Sequence, residues 1–264
     1  GAHLWAERFD KPVADLFDMQ DEIVARLANS LNAQLITAEA RRAERAPSPD
    51  SMDLYFQGVA WSNRGAAREN LTHARSLYER ALTLDAGNVD AELNIAGVDA
   101  VMAAIYMTDD RAGRLATAER TLIKLLLVAP NNAWMHFWLG YIKNFTNRAD
   151  QAIAEFERAV TLDSNLAFAH AQIGLAELFA GRSEETEGHV LEALRLSPRD
   201  TFAFAWAQFA GAAKLLLGAD EEAIAWYRRS IESNGNYSLS HFQLAAALAH
   251  LGRLDEARAE VRAG

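Results

Sequence analysis

The side chains best suited to chemistry in this sequence are seven histidines and several pairs and triplets of carboxylates. Clustered His, Asp and Glu side chains can bind zinc, and paired carboxylates suit general acid–base catalysis. Three of the histidines, His136, His170 and His241, recur at one position of a repeated unit. Equivalent positions of stacked helical units lie about 10 Å apart, whereas the ligands of one metal ion lie at about 2 Å from it. The sequence therefore predicts packing histidines and no metal site.

No other catalytic signature is present. The chain has no cysteine, no phosphate-binding GxxxxGK[ST] loop, no GxGxxG, no GxSxG elbow and no HExxH zinc helix. The acidic runs Glu184-Glu185 and Asp220-Glu221-Glu222 come directly before predicted helices, where the helix dipole favours negative charge. We interpret them as structural, and we predict no catalytic residue and no cofactor.

Composition narrows the partners further. The 26 Lys and Arg residues against 36 Asp and Glu residues give a net charge of −10, which argues against nucleic acid and against an anionic membrane. No stretch approaches the roughly 20 apolar residues of a membrane span, and the first apolar cluster is too short and too charged for a signal peptide. We therefore expect a cytoplasmic chain with no membrane partner. Both ends are expected to be boundaries of a fragment, because the chain begins at Gly1 and ends within a helical pattern.

One sequence segment is repeated along the chain, and the helices that it predicts must position any functional side chain. Its clearest copy is Ala152-Ile-Ala-Glu-Phe156-Glu-Arg-Ala159-Val-Thr-Leu162. Related copies begin at positions 74, 118, 186, 223 and 257, mostly 34 residues apart, and another helical pattern precedes each copy. This spacing predicts pairs of helices in which small residues allow close approach and large residues fill the space between neighbouring pairs.

The repeated segment resembles the tetratricopeptide repeat (TPR), with small residues at positions 8, 20 and 27 and a large residue at position 24. The resemblance implies an all-α, right-handed superhelix over 55–264. Gly58 at position 4 and Thr186 at position 20 depart from the pattern, and the second repeat carries extra residues that predict a first helix through Met107. The predicted repeats are 55–88, 89–132, 133–166, 167–203, 204–237 and 238–264.

Residues 15–50 form a different pattern. Ile23, Leu27, Leu31 and Leu35 recur every four residues, which predicts one amphipathic helix over about 15–45, followed by a proline-containing linker. We expect this helix to cap the first repeat, to mediate dimerisation and signalling, or to do both, since the two roles are compatible. Residues 1–14 alternate in the manner of a strand, and a single strand needs a partner, so we interpret them as the remnant of an upstream α/β domain.

The junction "GAHLWAERFD…DLFDMQDEI" resembles the region before the TPR array in bacterial class III adenylate/guanylate cyclase-like proteins, where a TolB-like domain precedes the repeats. The segments "TDDRAGRL", "GRSEETEGHV" and "LSPRDTFAFAW" are similar as well. The resemblance implies the regulatory C-terminal part of a multidomain signalling protein. Related junctions occur in winged-helix transcription activators, so the upstream domain under control is either enzymatic or DNA-binding. The cyclase-type resemblance places any cyclase activity outside this chain, which we predict not to be an enzyme.

The first helices of a TPR array line its concave face, and aromatic and aliphatic residues occupy the corresponding positions here. We predict a protein or peptide ligand on this face, while a homodimer through 1–45, a small-molecule sensor, or a face already filled by the array remain alternatives. Similar positions in the fifth repeat are held by Ala205, Gln208, Ala212, Leu215 and Leu216. The predicted partner-binding residues are Trp134, Phe137, Tyr141, Asn144, Phe145, Phe168, Leu175, Leu178 and Phe179.

Overall fold

The computed structural model describes residues 16–264, and this part of the chain contains α-helices and no strand. The predicted all-α TPR fold is confirmed, while the extended segment predicted for 1–14 lies outside the described residues. No helix within 16–264 is both long enough and apolar enough to cross a bilayer. The helices are α1 (Leu16–Glu44), α2 (Ser51–Ser62), α3 (Arg68–Leu84), α4 (Val89–Ala104), α5 (Arg111–Leu126), α6 (Ala133–Asn144), α7 (Ala149–Leu162), α8 (Ala167–Phe179), α9 (Ser183–Leu196), α10 (Ala203–Leu216), α11 (Asp220–Ser233), α12 (Ser238–His250) and α13 (Leu254–Ala263).

The chain divides into two compact units, one ending at Ile142 and the other running Lys143–Gly264. In the first unit, α2 pairs with α3 and α4 pairs with α5. In the second, α8, α10 and α12 pair with α9, α11 and α13, respectively. Several second helices also contact the first helix of the next pair: α3 contacts α4 in the first unit, and α7, α9 and α11 contact α8, α10 and α12 in the second. Within each unit, these pairs are therefore hairpins that bury apolar surface against the hairpin beside them.

Repeat position 24 supplies a fully buried side chain to most of the repeats. The residue at repeat position 24 is 0% exposed in the first five repeats, and burying a side chain of this size contributes about 1.5–3 kcal/mol. In the fifth repeat, a glycine makes room for it: a Cβ built on Gly211 would lie 2.6 Å from the ring of Tyr227. The five buried residues are Tyr78, Leu122, Phe156, Val190 and Tyr227.

The same contact explains the unusual first repeat. A Cβ on Gly58 would overlap the ring of Tyr78, so Gly58 performs the close-approach role that position 8 has in the other repeats. Its helix α2 begins at Ser51, ahead of the predicted repeat start at position 55. Ser51 donates to the Ala81 carbonyl at 3.0 Å, and Asn88 donates to Ser51 at 2.8 Å. The start of α2 is thereby fixed against the end of α3 and the start of α4.

Thr186, the other departure from the TPR pattern, is accommodated by a hydrogen bond. Its side chain is 0% exposed, and its Oγ1 donates to the carbonyl of Gly174 at 3.0 Å. The hydroxyl therefore has the partner that a buried polar group requires, and a small residue still occupies position 20.

The first helix of the second repeat is shorter than predicted, since α4 ends at Ala104 and not at Met107. Tyr106 adopts a left-handed φ of 58°, which no helix can continue. The Met107 amide then donates to the Met102 carbonyl at 2.8 Å. The turn is also held by Arg68, which donates to the Met107 carbonyl at 2.7 Å.

Helix α1 packs on α2 in the first unit. Its contact face includes Ala40 and Ala43, both buried, and Arg42 reaches the buried carboxylate of Asp53 at 2.9 Å. Asp53 also completes a capping box with Asp50 at the start of α2, which satisfies backbone amides that the helix itself leaves free. The helix and the first hairpin are thus joined by apolar and charged contacts.

We expect Gly211→Ala to lower the midpoint of chemical unfolding, because the added methyl group must displace the fully buried ring of Tyr227. Overpacking of this kind costs about 1–3 kcal/mol. The matched control is Gly188→Ala on α9, where the added Cβ meets no atom within 4 Å apart from its chain neighbours and its own helix backbone, and helix propensity alone should stabilise by about 1 kcal/mol. Urea unfolding followed by circular dichroism checks both variants, and a Gly211→Ala midpoint at or above wild type would contradict the packing argument.

Candidate protein-interaction surface

In the first unit, the predicted residues lie on α6, and only one of them presents a large surface. Trp134 is 41% exposed, whereas Phe137 and Tyr141 are buried at 1% and 9%. The Phe137 ring packs edge-on against Trp134 at 5.3 Å and lies 6.4 Å from Tyr141. Phe137 therefore packs against the indole of Trp134, Tyr141 packs against Phe137, and Trp134 is the member of the three that is exposed to solvent.

In the second unit, the predicted residues again divide by burial. Asn144 and Leu175 are buried at 2% and 7%. Phe145, Phe168 and Leu178 are partly exposed, and Phe179 is 54% exposed. The rings of Phe145 and Phe179 meet edge-on at 6.3 Å. The surface available to a partner is therefore formed by the ends of the first helices more than by their middles.

Asn144 differs from the other predicted residues because neither polar atom of its side chain has a hydrogen-bond partner among the described residues. A buried amide in that state costs about 1–3 kcal/mol. Asn144 is buried among the packed side chains of the protein. It could contact a large ligand directly only if it became exposed.

An aromatic row that the sequence analysis missed crosses the second unit. Phe168 lies 5.3 Å from Phe202 and 5.4 Å from Trp206, and Phe204 lies 4.8 Å from Tyr237. All are edge-to-face contacts, worth about 0.5–1.5 kcal/mol beyond burial. The sequence feature that could have predicted this row is the recurrence of aromatic residues at the starts of consecutive first helices. Phe202 and Trp206 contact the Phe168 ring, so Phe168 takes part in packing as well as being partly exposed at the surface.

The three histidines at repeat position 4 share one structural role. His136 and His241 each place Nε2 near a backbone carbonyl six residues earlier, at 3.1 Å from Pro130 and 3.2 Å from Gly235. His170 has the same backbone partner at Ser164. Each ring therefore braces the turn that leads into its own hairpin. Within 16–264, no group of three or more metal-ligating side chains is arranged around a common point.

Two neighbouring histidines have pKa values that are shifted in opposite directions. The rings of His170 and His189 stack at 6.4 Å, and His189 Nε2 lies 3.2 Å from the buried carboxylate of Glu177. Burial lowers the pKa of His170, while the hydrogen bond to Glu177 raises the pKa of His189. The α8–α9 hairpin, which also carries Leu175 and Phe179, therefore contains an ion pair that strengthens as the pH falls.

A shallow groove of about 570 Å³ lies on the last hairpin. It contains none of the predicted partner-binding residues, and apolar side chains and two arginines line it. Val261 in this groove is 54% exposed, although it occupies the repeat position at which Tyr227 is 0% exposed. The lining residues include Phe242, Ala245, Leu254, Val261, Arg258 and Arg262.

Comparison with known proteins agrees with the fold. Models of the tetratricopeptide repeat family match residues 135–166 and 226–259. Among solved structures, the chain is similar to the APC/C hetero-tetramer Cut9–Hcn1, with a TM-score of 0.70 and 14% identity over 91% of this chain and 44% of that one. A thermophilic TPR protein of Thermus thermophilus has a TM-score of 0.60 and 18% identity, over 75% of this chain and 99% of that one. The fold and the repeat matches together define a TPR-type helical array.

A partial relative is also found. The chain is 32% identical over 100 residues to a Rhizobium meliloti (strain 1021) protein provisionally named adenylate cyclase 3. The match covers 36% of this chain and spans only 16% of that protein's length. This partial match gives no evidence for a TolB-like remnant or for a full cyclase domain in the present chain.

We expect Glu177→Gln to lower the pKa of His189, because the substitution removes the negative charge that stabilises its imidazolium. In the wild type, the folded pKa lies above the unfolded value of about 6.5. The pair therefore contributes stability that is complete below pH 6.5 and is lost as the pH rises through the folded pKa. NMR titration of the histidine ring protons, assigned with His189→Gln, checks the shift.

The matched control is Glu260→Gln in the last hairpin, which removes the carboxylate 2.7 Å from His241 and leaves the Glu177–His189 pair in place. An unchanged His189 titration in Glu177→Gln would show that another group controls its protonation.

Proposed function

We propose that the chain is a noncatalytic, cytoplasmic protein-interaction module that regulates a multidomain signalling protein, and that it binds a peptide or helix through its first helices. The observation that carries the proposal is the solvent exposure of large apolar side chains at predicted contact positions, above all Trp134 and Phe179. Trp and other aromatic side chains dominate the binding energy of many interfaces. The TPR-type fold supplies repeated, rigid helices on which such side chains are held.

We propose different roles for the predicted residues, and their burial supports this division. Trp134 and Phe179 are the proposed anchors, and Phe145, Phe168 and Leu178 contribute partly exposed surface beside them. Phe137, Tyr141, Asn144 and Leu175 are too buried for direct contact, and they hold the surface residues in place. Each unit is proposed to contact ligand through its own exposed residues.

The proposed parent is a cyclase-like protein, in which this chain supplies control and not turnover. The partial identity to the Rhizobium meliloti protein supports this part of the proposal. The acidic net charge of −10 supports a protein ligand over a nucleic acid.

Peptides that bind the wild-type chain, selected from a displayed library, are expected to lose about tenfold or more in affinity for Trp134→Ala or Phe179→Ala. Truncation of an aromatic anchor commonly costs more than 1 kcal/mol, and 1.4 kcal/mol corresponds to tenfold. Isothermal titration calorimetry with the selected peptides measures the loss, and far-UV circular dichroism verifies that the helices remain intact.

The matched controls are Ile123→Ala on α5 and Leu191→Ala on α9. Both residues are 49% exposed but lie on second helices. They therefore show whether losing any exposed apolar side chain weakens binding, or only losing one on a first helix. Equal losses in the controls and the anchor variants, or no loss in either, would remove the first-helix assignment.

A second candidate function is homodimerisation through α1, as the sequence analysis considered for 1–45. Val24, Leu31 and Leu35 are 57%, 46% and 58% exposed, and exposed Ala28 lies between them. Their spacing of three and four residues matches the seam of a coiled coil. This face differs from the Ala40 and Ala43 face that packs on α2.

We expect the double variant Leu31→Glu, Leu35→Glu to convert a dimer into a monomer, because four carboxylates would be forced into one apolar seam. Sedimentation equilibrium at several concentrations measures the mass. The control is Leu84→Glu at the end of α3, where the side chain is 59% exposed and lies away from α1. A wild-type chain that is monomeric at all concentrations would exclude this candidate.

A further inference from the structure

A row of exposed apolar side chains follows one edge of the second unit. Phe145, Phe179 and Leu216 occupy position 13 of three consecutive repeats, and Leu217 and Leu251 follow at position 14 of two repeats. Leu216, Leu217 and Leu251 are 69%, 50% and 39% exposed, and Phe179 is 54% exposed. We call the turns that carry these residues, together with the first turns of the helices that follow them, the loop edge. It comprises 145–150, 179–185, 216–222 and 250–256.

The four turns of the loop edge have one conformation. Position 15 is left-handed in each, with φ of 59° at Asn147, 79° at Gly181, and 73° at Gly218 and Gly252. The next amide donates to the carbonyl five residues earlier in every case, at 2.8–3.0 Å. This is the closing bond of a Schellman motif. The apolar side chains are therefore presented from ordered turns, and little entropy is lost when a partner docks on them.

Ion pairs between neighbouring turns make the loop edge continuous. Arg182 reaches Asp150 of the preceding turn at 3.0 Å. His250 and Arg253 reach Asp220 and Glu221 of the turn before theirs at 3.0 and 3.6 Å. Between these two pairs of turns, Lys214 on α10 contacts both Glu187 on α9 and Glu222 on α11.

The loop edge is strongly acidic. It contains three arginines and eight carboxylates, a formal balance of −5, and seven of the eight carboxylate residues are exposed. The side chains of Glu221 and Asp255 are 72% and 98% exposed. An apolar row flanked by carboxylates is complementary to an apolar stripe flanked by Lys and Arg, and it repels phosphate groups of membranes and nucleic acids.

The spacing of the row also fits a helix. Neighbouring helices in the array pack about 8–10 Å apart, so equivalent side chains on consecutive hairpins recur at about that distance. An α-helix rises about 10.5 Å in seven residues. A helix with apolar residues seven apart therefore places one side chain near each turn.

From these observations, we propose that the loop edge docks a basic amphipathic helix of a partner protein, whose apolar stripe repeats every seven residues and is flanked by Lys and Arg. The proposal rests on the proposed function as a protein-interaction module and names the chemistry of one partner. Phe179 belongs to both surfaces, whereas Leu216 and Leu217 carry the loop edge in the repeat that follows it.

The test uses a synthetic helical peptide of about three heptads, with Leu seven apart and Lys and Arg on either side. Two control peptides are needed: a scrambled peptide of the same composition without a common apolar face, and a peptide with Glu in place of Lys and Arg. Fluorescence anisotropy with the full chain measures binding. We expect only the basic amphipathic peptide to bind, and its affinity to fall with increasing salt.

The variant Leu216→Ser, Leu217→Ser should weaken that binding at least tenfold, and Glu184→Lys, Glu185→Lys should weaken it and reduce its salt dependence. Leu191→Ser on α9 is the matched control and should bind as wild type. Because Leu216 and Leu217 are at least half exposed, an unchanged thermal midpoint will verify that their substitution leaves the fold intact.

Equal binding of the scrambled peptide, or wild-type affinity of Leu216→Ser, Leu217→Ser, would overturn the proposal. If library-selected peptides still depend on Trp134 and Phe179 in that case, the proposed function stands and only the loop-edge inference fails. Self-association of the chain that is abolished by Leu216→Ser, Leu217→Ser would assign the surface to a second copy and would also overturn it.

Discussion

The structure depends on the close approach of the two helices within each hairpin. A large residue at repeat position 24 fits between them only where the facing residue is small, as Gly211 is against Tyr227 and Gly58 is against Tyr78. Because the large residue is fully buried in the first five repeats, it contributes core stability in each of those repeats. Adding one methyl group at this contact is expected to lower stability, since protein interiors are packed at crystal-like density.

Fixing the hairpin also decides which residues face solvent. The middles of the first helices, represented by Phe137 and Leu175, are buried in the array, while the last turns project beyond it. This is why exposure rises toward Phe179 and Leu216. The left-handed residue that follows ends each first helix in the same way, so the array repeats its surface features as regularly as its core. Interaction surfaces on such a scaffold follow from the termini of helices as much as from their faces.

Charge is distributed according to the same geometry. Carboxylates collect at the starts of second helices, where the helix dipole favours them, and consecutive turns bring them beside arginines and lysines of neighbouring hairpins. Asp150 with Arg182 and Lys214 with Glu187 and Glu222 are examples. Such partly exposed pairs contribute little stability individually. Their arrangement nevertheless leaves one edge of the second unit with a clear excess of negative charge, which affects the choice of partner more than it affects the fold.

The sequence by itself determined the fold class, because small and large residues recur at the fixed spacing that the packing of helical hairpins requires. It did not determine the burial of individual side chains: periodicity places Phe137, Tyr141 and Asn144 on the first helix, but their exposure depends on the neighbouring helices. Nor did it identify the role of Gly58, since the ring of Tyr78 that faces it lies twenty residues away along the chain. The tertiary structure decided both matters, because exposure and close approach are properties of contacts between helices, and the residues making those contacts are distant in sequence.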